Sequence, residues 1–242
     1  MIFFILKIIF PDNWLLTVLI VSGVMFLPPL ILMSRSPTPD LFVFQFILIF
    51  LLGLLSKWKK WILFVVLFFI TLVRPDYIIL TLTYLLAVFL FEYTKNKKMN
   101  VVFILQAVLL LCLYFIIIKY YHYPGWKNLF YDSFIYRRPM LSSQAAIFSL
   151  KDYLFITFDK LIHFKKVTLS AIILLFVIFK YSDDLWIRIL TVLFFINLYI
   201  KFFFFPQSGE TRLFFPFIFP LFIIMLHTIS KKYNGFKLDK IP

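Results

Sequence analysis

Long apolar runs separated by short charged loops constrain the fold of this chain more than any other feature. Residues 14–33 (WLLTVLIVSGVMFLPPLILM) and 101–118 (VVFILQAVLLLCLYFIII) are close to the roughly 20 apolar residues that a helix needs to cross a bilayer. Further runs cover residues 41–55, 61–73, 77–91, 167–179, 185–205 and 213–229. Because helices satisfy their own backbone in lipid, the sequence predicts an all-α polytopic membrane protein with about eight transmembrane helices.

Two details near the N-terminus modify this pattern. The opening stretch MIFFILKIIF is short and carries Lys7, so we interpret it as the tail of a span or as an interfacial segment. Pro28 and Pro29 lie inside the run 14–33, and two adjacent prolines predict a kink or break in that helix.

Composition supports a membrane protein and argues against other classes. The chain is 63% hydrophobic and only 15% charged, whereas soluble domains are about half apolar and a quarter charged. The net charge of +14 would suggest nucleic acid in a soluble protein, but the lysines cluster beside apolar runs. We therefore expect a lipid bilayer as partner and no nucleic acid. The single cysteine and three widely spaced histidines predict no metal site.

Lysine-rich loops predict the orientation of the chain. The segments SKWKK, YTKNKK and the C-terminal SKKYNGFKLDK concentrate positive charge beside apolar runs, which is typical of cytoplasmic loops. The C-terminus is therefore expected to be cytoplasmic, in a multi-pass protein of the cell (inner) membrane. The loop YSDD falls on the same side, where we interpret Asp183 and Asp184 as a helix N-cap.

Residues 1–242 are expected to form a single integral membrane domain, within which residues 122–166 form a loop on the outer face. The second half of this loop has helical periodicity, with an apolar stripe of Leu150, Leu154, Phe158 and Leu161. This pattern predicts one amphipathic helix lying in the membrane interface.

Charged residues recur in the other outer loops. Three short loops each contain one arginine and one acid: Arg35 with Asp40, Arg74 with Asp76, and Glu210 with Arg212. Charges beside a span often mark function, because they are costly unless paired or wet. The arginine fork suits phosphate, and a carboxylate can accept a proton or hold a metal. The alternative is a set of simple surface pairs, which contribute little.

The segments SRSPTPDLFVF, TLVRPDYIIL and GETRLFFPFIFPLF, in this order, resemble the multi-spanning C-type glycosyltransferases, which use polyprenyl- or dolichyl-phosphate-linked sugars. The resemblance implies transfer of a sugar from a polyprenyl-phosphate donor to a glycan, lipid or protein acceptor on the non-cytoplasmic face. It implies phosphate contacts by arginine and supporting roles for acids, and the catalytic candidates are Asp40, Asp76 and Glu210. The substrate-binding candidates are Arg35, Arg74, Arg212, Trp126, Tyr131 and Tyr136, of which the three aromatic residues could equally form a belt at the membrane surface.

One departure from the family pattern affects activity. The family's catalytic acid lies in the first outer loop after a full span, whereas this chain opens on a ten-residue apolar segment. The chain therefore resembles a family member without its N-terminal spans, such as a truncated frame, half of a split enzyme or a degenerate relative. A partner chain that supplies the helices is expected in the split case, and a role for a divalent cation stays open.

Three other functions remain open from the sequence. A surface-polysaccharide polymerase would use a diphosphate-linked donor, and a non-catalytic membrane subunit would need no donor. A transporter or lipid-linked glycan flippase would require polar or charged groups near the membrane midplane. The sequence offers only Gln45, Gln106 and Asn197 there, uncharged and scattered, which argues against a proton-coupled carrier.

Overall fold

The computed structural model describes residues 1–35, 39–74, 77–96, 101–120, 165–204 and 214–233. Regular structure in these ranges is entirely helical, which confirms the predicted all-α class. The helices are α1 (Ile2–Ile9), α2 (Trp14–Met25), α3 (Pro28–Arg35), α4 (Asp40–Leu55), α5 (Lys60–Val73), α6 (Ile78–Asn96), α7 (Val101–Tyr120), α8 (Lys165–Tyr181), α9 (Leu185–Phe204) and α10 (Phe215–Tyr233).

Two described helices are long and apolar enough to cross a membrane, in the segments Ile78–Lys95 and Phe215–Tyr233. The pair α2 and α3 counts as a third span if its 60° bend is included, and this bend confirms the break predicted at Pro28. In other helices the apolar segments are shorter, namely Asp40–Leu55, Lys60–Val73, Val101–Ile117 and Leu185–Ile200. The helix α5, with 14 residues, rises only about 21 Å, against a hydrocarbon core of about 30 Å. Length and composition thus support a membrane-associated protein with two or three spans, fewer than the roughly eight expected from the runs.

Helices α4 to α10 alternate in direction, which gives the bundle two chemically different ends. At one end the start of α4 meets the end of α5, where Asp40 and Arg74 form an ion pair. At the other end Lys60 at the start of α5 pairs with Glu92 near the end of α6. We call these the Arg74 end and the lysine end, and the lysine end also contains Lys57, Lys95, Lys231 and Lys232.

The short helix α1 belongs to the core. Ile2, Ile5, Leu6 and Ile9 form its buried face, which packs against α4 and α10. The hydroxyl of Ser230 donates a 2.7 Å hydrogen bond to the carbonyl of Ile9 and ties α1 to the end of α10. The opening apolar stretch is therefore part of the helix packing.

Polar side chains inside the bundle form hydrogen bonds with one another. The hydroxyls of Thr71 and Thr81 lie 2.8 Å apart between α5 and α6. On another face of α6, Asn197 of α9 donates a 2.8 Å hydrogen bond to the hydroxyl of Thr83. Such bonds hold apolar helices together where the hydrophobic effect cannot distinguish helix from lipid.

The outward faces of the bundle are apolar. In α7, Leu110 and Tyr114 face the core, whereas Leu105 and Phe115 are each more than 60% exposed. In α8, Leu169 and Phe176 are similarly exposed. Large contiguous apolar surfaces are rare in water-soluble monomers, so this surface agrees with a membrane environment.

The turn between α8 and α9 confirms one local prediction. The carboxylate of Asp184 accepts a 2.9 Å hydrogen bond from the backbone N–H of Trp186, in the first turn of α9. Asp184 is therefore the N-cap, because it satisfies a backbone donor that the helix leaves free.

Candidate functional site

The candidate site is built around an ion pair between Asp40 and Arg74 at the Arg74 end. Asp40 is the first residue of α4, and Arg74 directly follows α5. The Arg74 guanidinium donates to the Asp40 carboxylate. The side chain of Asp40 is only 4% exposed and that of Arg74 is 18% exposed. Two charges are thus withdrawn from water at one end of an apolar bundle.

Helix position explains why these two residues tolerate burial. Asp40 lies in the first turn of α4, where the helix dipole favours negative charge. Arg74 caps the other helix, since its backbone N–H donates a 2.8 Å hydrogen bond to the carbonyl of Ile70. The carboxyl end of α5 favours positive charge. Each charge therefore interacts favourably with the dipole of its own helix, in addition to the ion pair.

Tyr77 forms the next wall of the site. Its ring centroid lies 5.8 Å from the guanidinium carbon of Arg74, within the range of a cation–π contact. The ring stacks on Phe217 of α10, with centroids 5.5 Å apart and planes 9° from parallel. The side chain of Tyr77 is almost fully buried. The sequence analysis did not identify Tyr77 as a site residue, although Tyr77 directly follows the Arg-Pro-Asp motif.

Aromatic packing brings the start of α10 to the same end. The ring of Phe44 in α4 lies 5.2 Å from the Phe215 ring and 5.3 Å from the Phe219 ring. Through Phe217 and Phe215, α10 therefore contacts both the helix that carries Asp40 and the residue that covers Arg74. The first described residue of this region is Phe214, which is buried.

Three of the candidate residues predicted from the sequence are described by the structure. The structure brings Asp40 and Arg74 together, although they come from different loops. Arg35 is exposed at the end of α3 and forms no ion pair within the described ranges. The other candidates lie outside the described residues: Asp76, Glu210, Arg212, Trp126, Tyr131 and Tyr136, together with the predicted interfacial helix.

A second charged pair, at the lysine end, has a different character. Lys60 lies 3.0 Å from Glu92, and the two side chains are 33% and 25% exposed. The ammonium group of Lys60 also lies 4.5 Å from the ring centroid of Phe91 and 5.4 Å from that of Trp186. This pair joins α5, α6 and α9 but remains accessible to solvent. It offers a matched comparison for the buried pair.

The potential metal ligands are dispersed in the part of the chain that the structure describes. Among the residues that the structure describes, no three His, Cys, Asp or Glu side chains converge on a common point. The described site contains a buried carboxylate, an oriented guanidinium and an aromatic wall.

Comparison with known proteins gives no family assignment. No family model matches the chain, and neither the curated proteins nor the solved structures include a significant match.

Proposed function

We propose that the chain is a multi-pass protein of the cell (inner) membrane, with about eight crossings and a cytoplasmic C-terminus. The alternating directions of α4 to α10 support this topology. Short helices such as α5 would reach both interfaces through local thinning of the bilayer and the anchoring of flanking residues.

The distribution of lysine supports the orientation. The lysine end has the basic loops predicted to be cytoplasmic, including Lys57 and Lys231. Lys119 and Lys166 flank residues 121–164 at the opposite end, but loops connected through a long segment contribute less to orientation than short ones. The Arg74 end would then face the periplasm or cell exterior.

We propose further that the Arg74 end is the site of a glycosyltransferase acting on a polyprenyl-phosphate-linked sugar. The observation that carries this proposal is the buried pair of Asp40 and Arg74 at the end of the bundle opposite the lysine end. A charge beside a membrane span is expensive and is usually retained for function. A guanidinium with a fixed orientation suits the phosphate of a lipid carrier.

The reaction assigns a role to each charge. The bond between the anomeric carbon and the phosphate oxygen breaks, while that carbon bonds to the acceptor oxygen. The acceptor proton passes to a carboxylate, and the phosphate leaves with increased negative charge that Arg74 offsets. Asp40 already binds Arg74, so we assign it the orienting role. Asp76 or Glu210 would then accept the proton.

The remaining candidates extend the same site. Arg212, two positions before Phe214 in the sequence, and Arg35 are proposed as further phosphate contacts. Trp126, Tyr131 and Tyr136 are proposed to stack on sugar or acceptor. If a partner chain completes the enzyme, it would supply the family's first acidic loop.

The interior of the bundle favours this proposal over a transporter. The side-chain amide of Asn197, one of the few polar residues in the apolar runs, donates hydrogen bonds to the hydroxyl of Thr83 and to the carbonyl of Leu193. Its donors are therefore used for helix packing. A polymerase with a diphosphate-linked donor uses related chemistry, and donor preference separates it from the present proposal.

Cysteine accessibility tests the topology. On a Cys112→Ser background, single cysteines at Ser36, Pro75 and Ser208 should react with an impermeant thiol reagent on whole cells. Control cysteines at the exposed positions Ser56 and Lys231 should react only after the cells are opened. Labelling of any of the first three only in opened cells would contradict the shared outer face.

A binding and transfer assay tests the site. Purified protein in nanodiscs is titrated with farnesyl phosphate, and with farnesol as the uncharged reference. In samples whose tryptophan fluorescence shows the folded state, Arg74→Gln should weaken farnesyl phosphate binding at least tenfold, or about 1.4 kcal/mol, while Glu92→Gln, at the other charged pair, should leave it unchanged. Unchanged binding by Arg74→Gln would refute the phosphate role.

Donor preference is then measured as release of the lipid carrier. Wild type and Arg74→Gln are each assayed with a panel of polyprenyl-phosphate-linked monosaccharides and with a diphosphate-linked sugar. Preference for the monophosphate donors supports the proposal. Exclusive use of the diphosphate donor would point to a polymerase, and farnesyl phosphate binding without turnover would point to a non-catalytic subunit.

A further inference from the structure

A cavity of about 230 Å³ lies at the lysine end, far from the Asp40–Arg74 pair. The turn between α8 and α9 forms one wall, with Ser182, Asp183 and Asp184. The last turns of α10 form the other wall, with His227, Lys231 and Lys232. The cavity therefore has carboxylates on one wall and ammonium groups on the other.

The opposite charges around this cavity do not neutralise one another. Within the described part of the chain, neither Asp183 nor Asp184 forms an ion pair with Lys231 or Lys232. One oxygen of Asp184 accepts the N–H of Trp186, which leaves its second oxygen available. Lys232 lies 5.6 Å from the ring centroid of Tyr181, a contact that leaves its N–H groups available. Separated charges of both signs suit a ligand that itself carries both signs.

The position of the cavity selects the kind of ligand. It lies where α8 and α10 end, so it is at the depth of lipid headgroups if the helices span the membrane. Aromatic residues flank it, with the rings of Tyr181 and Tyr233 6.3 Å apart. Phe179 and Leu185 expose apolar side chains nearby in the sequence. A headgroup at this depth would keep its acyl chains against such apolar surface.

We propose that this cavity binds the headgroup of phosphatidylethanolamine from the cytoplasmic leaflet. The two lysines would bind its phosphate, and the two aspartates would accept hydrogen bonds from its primary ammonium group. Phosphatidylcholine has a quaternary nitrogen without N–H, so it cannot donate hydrogen bonds to the aspartates. Phosphatidylglycerol lacks the positive charge, so the aspartates would repel it. This inference rests on the proposed membrane insertion and orientation and is independent of the proposed transferase activity.

Native mass spectrometry of the detergent-purified full chain tests the proposal with three lipids of equal chain length. Phosphatidylethanolamine should bind about tenfold more tightly than phosphatidylcholine or phosphatidylglycerol, a difference of about 1.4 kcal/mol. Equal binding of all three lipids, or a preference for phosphatidylglycerol, would overturn it. Soluble phosphoethanolamine is the fourth ligand, and binding as tight as that of the whole lipid would indicate a soluble ligand and overturn the lipid assignment.

Variants locate the binding. Asp183→Asn with Asp184→Asn should abolish the preference over phosphatidylcholine, and asparagine preserves the N-cap of α9. Lys231→Gln with Lys232→Gln should weaken binding of all three phospholipids. Lys95→Gln, an exposed lysine at the same end, should change nothing. If the double aspartate variant still prefers phosphatidylethanolamine over phosphatidylcholine, the proposal is wrong. If a variant fails to fold, the comparison of the three lipids on the wild-type protein still tests the proposal.

Discussion

Removing one member of the Asp40–Arg74 pair should destabilise the protein strongly. The two side chains are 4% and 18% exposed, so the variant Asp40→Asn leaves a guanidinium that water reaches poorly. Breaking a buried pair in this way costs about 3–5 kcal/mol. Asp40→Asn also loses about 0.3–1 kcal/mol of interaction with the α4 dipole. Arg74→Gln should cost a similar total, because Asp40 then stays buried without its counter-charge.

The Lys60–Glu92 pair provides the matched control. Its side chains are 33% and 25% exposed, so water can solvate the charge that remains when the other is removed. Glu92→Gln should therefore cost only about 0.2–1 kcal/mol. The contact of Lys60 with the Phe91 ring survives this change. The difference in burial thus predicts that breaking the Asp40–Arg74 pair costs several-fold more unfolding free energy than breaking the Lys60–Glu92 pair.

The assay is reversible unfolding in mixed micelles of mild detergent and SDS, followed by tryptophan fluorescence. Asp40 and Arg74 also interact with other groups, so a double-mutant cycle is needed to isolate the energy of the pair. The double variant should be clearly less destabilised than the sum of the single variants. If Asp40→Asn costs no more than Glu92→Gln, the site is well hydrated and the reasoning from burial is wrong.

Two further comparisons test the packing of the bundle by the same unfolding assay. Gly53→Ala should lower the free energy of unfolding by about 1–3 kcal/mol, because its new Cβ would lie 2.5 Å from Cε3 of Trp58. Gly23→Ala, which has nothing within 4 Å of the new Cβ, should gain about 0.5–1 kcal/mol, and equal effects of the two changes would contradict the packing at Gly53. Asn197→Val should lose about 0.6 kcal/mol and at most about 1.7 kcal/mol, and this loss should shrink on a Thr83→Val background because their hydrogen bond is then already absent.

Local features were predictable where they depend on neighbours along the chain. Two adjacent prolines cannot donate the backbone hydrogen bonds of a continuing helix, so the break at Pro28 followed from the sequence. Asp184 precedes an apolar run and caps it, for the same kind of local reason. The count of spans was harder to predict, because an apolar run such as residues 61–73 signals a helix without showing whether that helix is long enough to cross a membrane.

The site depended on contacts that the sequence pattern leaves undetermined. Arg74 and Asp76 are neighbours in one loop, and Arg35 and Asp40 in another, which suggested charges grouped by loop. The structure pairs Asp40 with Arg74, which is 34 positions away in another loop. It also brings Phe217 from α10 onto Tyr77. Hydropathy predicts that these helices exist, but it contains no information on how each is rotated against its neighbours.

The sequence by itself determined that this protein is helical, apolar and membrane-associated, with lysine-rich segments that are separate along the chain from the segments that combine arginine with acid. Those properties follow from run length, composition and local hydrogen bonding, which act over a few residues. Only the tertiary structure decided which charges are buried together and which line an open cavity. The physical reason is that these helices are apolar on most faces, so the choice between helix contact and lipid contact comes from shape, ring stacking and a few polar bonds such as that between Asn197 and Thr83.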